Sequence, residues 1–182
     1  ISVEFQVAVS DHRAAVLQDA LRFYDRFAAQ NSTNPQLQRD TAKVHRRVAD
    51  IYERLGQYGK AEQAYTRSLE ILDSEELNDD LTLAVEMAGT LNQLGLTKYA
   101  TSRFSEAEAE FRRAKTLLAA SSGGDDPGCQ AELARTNNNL GQALWLMGKP
   151  DQARRSHREA VQIMQKVVEQ HADDADFRLA LA

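Results

Sequence analysis

A shift of 46 residues lays this chain on itself. Ala42, Ala88, Ala134 and Ala180 fall at that step, as do Ala15, Ala61, Ala107 and Ala153. Ala49, Gly95 and Gly141 repeat a small residue, each directly after an aliphatic one at Val48, Leu94 and Leu140. Tyr65, Phe111 and His157 share a bulky slot, and Ser68, Ala114 and Ala160 a small one. Chance alignment of alanines would not hold these slots in the same order three times. A period of this length belongs to stacked supersecondary units, each too small to bury its own apolar face.

Each unit reads as two helices around a tight turn. In the first, His45, Val48, Ala49 and Tyr52 fall at helical spacing. After the turn Gly56-Gln57-Tyr58-Gly59 come Ala61, Ala64, Tyr65, Ser68, Leu69 and Leu72, again on one face. The second unit has Leu91, Leu94 and Gly95, a turn near Ser102, then Ala107, Phe111, Ala114 and Leu118. The third has Leu140, Gly141 and Leu144, the turn Gly148-Lys149-Pro150, then Ala153, His157 and Ala160. Glycine inside a helix costs about 0.8–1 kcal/mol against alanine, so Gly95 and Gly141 imply close helix–helix approach. Three prolines and 7% aromatics suit helices and argue against a β-sandwich or barrel.

The fold expected is all-α, a solenoid of antiparallel helix hairpins over residues 11–182. Residues 11–30 match the second half of a repeat; hairpins follow at 36–77, 80–121 and 127–171, and 173–182 begin a further repeat. Loop signals at Asn31-Ser32-Thr33-Asn34-Pro35, Asn78-Asp79-Asp80, Ser121 to Gly128 and Ala172-Asp173-Asp174 serve as helix stops and N-caps. Residues 1–10 form an N-terminal arm: Val3, Phe5, Val7 and Val9 alternate with polar residues, but no partner strand is evident. An opening on Ile1 rather than Met reads as a piece of a longer protein.

These positions resemble the tetratricopeptide repeat, whose pattern is a large residue, two spacers, Leu-Gly, two spacers, Tyr, then Ala, three spacers and Phe. The units supply His45-x2-Val48-Ala49-x2-Tyr52 with Ala61-x3-Tyr65, Leu91-x2-Leu94-Gly95-x2-Lys98 with Ala107-x3-Phe111, and Asn137-x2-Leu140-Gly141-x2-Leu144 with Ala153-x3-His157. The usual period is about 34 residues, and the family's closing Pro is absent, with Asp73, Ala119 and Gln165 in its place. The surplus, roughly twelve residues or a little over three turns, is assigned to longer helices. The segment Ala20 to Tyr65 is similar to the long-period region carried C-terminally by certain bacterial serine/threonine protein kinases. The resemblance implies a right-handed solenoid and a partner-binding role.

The rest of the sequence offers little chemistry. A net charge of −5 argues against non-specific nucleic-acid binding. No apolar run approaches the roughly 20 residues of a membrane span. Cys129 is the single cysteine, which excludes an intrachain disulfide framework and fits a reducing compartment. His12, His45, His157 and His171 occupy positions that should not converge on a metal. No glycine-rich phosphate loop, His-Arg-Asp loop or Asp-Phe-Gly triplet occurs. Neither catalytic residues nor a cofactor or metal site is assigned.

The informative surface is the first-helix side beside the core stripe, which lines the concave face in this family. It carries Lys43, Arg46 and Arg47 in the first unit, Asn92, Gln93 and Tyr99 in the second, and Arg135, Asn138, Asn139, Gln142 and Trp145 in the third. The plain reading is a wet helical face; the sharper one is a peptide groove of amide and guanidinium donors with two aromatic anchors. The expected function is a protein-binding scaffold, the partner-binding part of a larger bacterial signalling protein. The alternative is a non-catalytic piece of a serine/threonine kinase whose parent phosphorylates proteins. Self-association through exposed solenoid ends and a cytoplasmic setting complete the expectations.

Overall fold

The structure, a computed structural model, describes residues 16, 19–27, 29–30, 34–73, 81–121 and 125–170. The alternating arm at 1–10 and the repeat start at 173–182 lie outside these. Among the described residues the regular structure is helical. Residues 19–27 and 29–30 form α1. Then come α2 (Pro35–Arg54), α3 (Tyr58–Asp73), α4 (Leu81–Ala100), α5 (Phe104–Ala120), α6 (Pro127–Leu146) and α7 (Pro150–Gln170). The chain divides into two compact units, Ile1–Glu76 and Leu77–Ala182.

Helix starts follow the capping rules. The Asn34 side chain accepts from the Leu37 amide at 3.3 Å, and Asp126 from the Cys129 amide at 2.8 Å, each ahead of a proline in the first turn. The hairpin turns share one construction at the 46-residue step. Gly56, Ser102 and Gly148 all have positive φ, at 70°, 61° and 70°. Each donates to the carbonyl three residues back (Glu53, Tyr99, Trp145), and the following residue donates to the carbonyl five back (Tyr52, Lys98, Leu144). This pair of bonds is the Schellman closure, and its left-handed residue favours glycine.

In the first unit α2 packs on α3, burying Ala42, Ala49 and Tyr52 against Ala61, Tyr65 and Leu72. Ser68 Oγ donates to the Ala42 carbonyl at 2.8 Å, and the Tyr65 hydroxyl donates to Asp50 at 2.6 Å. Burial and that carboxylate raise the Tyr65 phenol well above its ordinary range. In the second unit α4 packs on α5, α6 on α7, and α6 against both α4 and α5. Its core joins Ala107 and Phe111 to Leu140, Ala143, Leu144 and Ala153.

The glycines sit where the helices meet. A Cβ on Gly95 would stand 2.8 Å from Phe111 Cδ1, and one on Gly141 would stand 2.6 Å from His157 Nε2. The small slot and the bulky slot of each of these repeats are therefore one contact. Lys98 departs from the repeat pattern, standing where Tyr52 and Leu144 stand, and meets Glu110 at 2.7 Å. Glu110 occupies the register of Ala64 and Ser156, so two deviations in one repeat satisfy each other.

Candidate functional site

Lys43 and Arg47 are exposed on α2, and Arg46 is half-buried beside them. Asp50 and Glu53, on the same side, accept the Tyr65 hydroxyl and so tie α2 to α3. His45 is buried, with Nε2 3.0 Å from Asp25 of α1 and Nδ1 without a hydrogen-bond partner among the described residues. Burial lowers its pKa from the ordinary 6.5, with the Asp25 carboxylate opposing in part. Arg67 Nε also reaches Asp25, at 3.3 Å, which makes this cluster a tether between α1, α2 and α3.

In the second unit the expected residues separate into three kinds. Asn92 is 0% exposed; its amide donates to Thr136 Oγ1 at 2.7 Å and to the Glu132 carboxylate. The expectation of a ligand-facing amide there is corrected, because the next first helix, α6, covers that position. Asn139 is buried as well, which removes a second amide from the surface. Gln93 is half-buried. Tyr99 packs on the Phe111–Leu140 core and meets Phe104 edge-on, ring centres 5.4 Å apart, so it is a packing residue on its inner side.

Gln142 and Trp145 are exposed together on the last turns of α6. Trp145 is 63% exposed, and its neighbour Leu146 is 50% exposed. Indoles are rarely left so open without a use, since they carry the largest apolar area of any side chain beside one polar donor. Leu146 went unnoticed in the sequence; the signal was its position directly after Trp145.

Arg135 and Asn138 line a different feature. With Ala131 and Ala134 of α6 and Ala160, Val161, Met164 and Val168 of α7 they form a groove of about 720 Å³. The sequence reading missed its α7 wall. Val161, Gln165 and Val168 recur at helical spacing on one face, and the valines stand in register with the polar residues Lys115 and Ser122. Among the described residues no group of three or more His, Cys, Asp or Glu could hold a metal, and no helix is long and apolar enough to cross a membrane. His12 and His171 lie outside the described residues.

A two-helix unit repeated in phase, with its turns and glycine contacts at one register, defines a helical-repeat protein. Residues 86–166 and 42–74 match tetratricopeptide repeat families, together more than half of the chain, and the chain carries tetratricopeptide repeats over both stretches. Repeats of this family act as protein–protein interaction scaffolds. No curated protein matches the chain. Among solved structures, BtubC (BKLC) from P. vanneervenii matches at 23% identity and a TM-score of 0.62 over 85% of this chain, and shares the fold. The chain spans 59% of that protein's length. MamA matches more loosely, at 16% identity and a TM-score of 0.38, covering 87% of this chain and 94% of its own.

Proposed function

We propose that the chain binds a protein or peptide ligand along its first-helix face, with Trp145 as anchor. The observation that carries this is the exposed pair Trp145–Leu146 next to the Gln142 amide. Such a mixture of flat apolar area and hydrogen-bonding groups supplies interface energy and orientation together. Asn138 and Arg135, exposed farther back on α6, line the α6–α7 groove instead. The first unit, taken by itself, offers Lys43, Arg46 and Arg47 on α2 as separate cationic positions for carboxylates. The resemblance of Ala20 to Tyr65 to kinase-associated repeats supports a bacterial signalling parent, with any phosphorylating activity residing in that parent. A cytoplasmic setting belongs to the same reading.

The test uses peptides selected on the immobilised chain from a random display library. Trp145→Ala is expected to weaken their binding at least about tenfold, as removal of an interface anchor does, with little change in thermal stability. Binding that survives Trp145→Ala but is lost on altering Glu62, Arg112 or Arg155 would place the site on the second-helix side and overturn the reading.

A further inference from the structure

Within the first unit a cavity of about 420 Å³ lies between α1 and the α2–α3 hairpin. Its polar walls are Arg22 and Asp25 of α1, His45 of α2, and Lys60, Gln63 and Arg67 of α3. Arg22 and Asp25 stand at i and i+3, and Lys60, Gln63 and Arg67 at i, i+3 and i+7, so α1 and α3 each contribute a single helical face. Two of these positions break the repeat. Arg22 stands in the small slot of Ser68, Ala114 and Ala160, and Asp25 stands where Ile71, Leu117 and Ile163 do. Packing gives no reason for a guanidinium and a carboxylate where the other repeats carry small and aliphatic side chains.

The buried imidazole in the wall is only half satisfied. His45 is 2% exposed; Asp25 takes its Nε2, and its Nδ1 has no hydrogen-bond partner among the described residues. A buried polar atom without a partner costs stability, and a ligand in the cavity can supply one. The charged groups of the wall are three cations and one carboxylate. Asp25 Oδ1 is already engaged by both His45 Nε2 and Arg67 Nε. Arg22 also meets Asp19, and Arg67 Nη1 meets Glu70 at 3.1 Å. Lys60 stands 5.6 Å from the centre of the Tyr52 ring and pairs with no carboxylate among the described residues.

We infer that this cavity binds a phosphomonoester, with Arg22, Lys60 and Arg67 on the phosphate oxygens and a hydrogen-bonding group of the ligand at His45 Nδ1. Two guanidinium forks and an ammonium, brought in from two helices, suit a tetrahedral, doubly charged oxyanion better than a planar, singly charged carboxylate. The cavity is larger than a phosphate group, which leaves room for part of the molecule that carries it. A phosphorylated serine in a peptide and a small free phosphate ester share this chemistry. The site belongs to the first unit and does not depend on the Trp145 reading, which concerns the second.

Two probes test it by calorimetry on the full chain in phosphate-free buffer: a short peptide carrying one phosphoserine, and glucose 6-phosphate. Saturable binding of at least one is expected, with none for the unphosphorylated peptide or for glucose. Lys60→Gln and Arg22→Gln are each expected to weaken it at least about tenfold, as loss of a charge-assisted contact does. Neither side chain is buried, and circular dichroism checks that both variants fold. Arg158→Gln, which removes the same charge from an exposed position on α7, is expected to leave binding unchanged. Tighter binding of the phosphopeptide assigns the site to a modified protein, and tighter binding of glucose 6-phosphate assigns it to a small molecule; either upholds the phosphomonoester site. Absence of saturable binding by both probes overturns the inference. So does binding undiminished in Lys60→Gln and Arg22→Gln, or equally diminished in Arg158→Gln, which would reduce it to diffuse charge attraction.

Discussion

The amide of Asn92, in one repeat, donates to the hydroxyl of Thr136, in the next, across 2.7 Å of fully buried interface. Glu132 accepts from the same amide, so one side chain reads two successive turns of the neighbouring helix. The bond is a register lock, since sliding α6 by one residue along α4 would leave buried polar groups unpaired. Asn92→Ala is expected to destabilise the second unit by about 1–3 kcal/mol. In a double-mutant cycle with Thr136→Ala, measured by chemical denaturation, the two changes are expected to fall short of additivity. Strict additivity would show that the contact contributes nothing specific.

The two interhelical glycines should not tolerate a methyl equally. Gly95 abuts Phe111, which is fully buried, whereas Gly141 abuts His157, which is only half-buried and has room to swing outward. Overpacking costs about 1–3 kcal/mol, with the larger value expected for Gly95→Ala and the smaller for Gly141→Ala. Thermal midpoints of the two variants decide the order.

Ser102 holds φ at 61° where its two register-mates are glycines. A side chain in the left-handed region is strained by roughly 1–2 kcal/mol, part of which glycine returns as unfolded-state entropy. Ser102→Gly is therefore expected to stabilise by about 0.5–1 kcal/mol, and Gly148→Ala to destabilise by a similar amount. The urea midpoint should move in opposite directions for the two.

Much of this fold was legible in the sequence because its strongest constraints are spaced identically. The turn residues, the glycine–aromatic contacts and the helical faces all recur at one step, so each repeat vouches for the others. The candidate site was less legible. Periodicity places Asn92 and Asn138 on the same side of successive first helices, yet it cannot say that the next helix covers one and not the other. Tyr99 and Trp145 likewise share a register, but Tyr99 lies against Phe104 and the core while Trp145 is exposed. The α7 valines have polar register-mates, Lys115 and Ser122, so the repeat carries no signal for an apolar face there. His45 looked like an ordinary core slot; its partner, Asp25 of α1, stands at the register of Ile71, Leu117 and Ile163, so the repeat gives no signal for it.

The buried His45 makes the first unit sensitive to acid. Its pKa is lowered in the fold mainly by burial, with Asp25 pulling the other way and Arg67 and Glu70 adding smaller opposed effects. The unfolded chain therefore binds a proton more readily. The stabilisation is present above the ordinary value of 6.5 and is lost as pH falls below it. The melting temperature is expected to drop between about pH 7.5 and pH 5, with a shallower drop in His45→Gln. An identical slope in that variant would assign the acid sensitivity elsewhere.

Trp145 is the chain's single tryptophan, so its fluorescence reports on the proposed binding face without a label. Free protein is expected to emit like a solvated indole. Titration with a library-selected peptide is expected to shift the emission to the blue and saturate with the same midpoint as an independent binding measurement, because a ligand anchored there must exclude water from the ring. Saturable binding of such peptides with no change in the Trp145 emission would contradict the account.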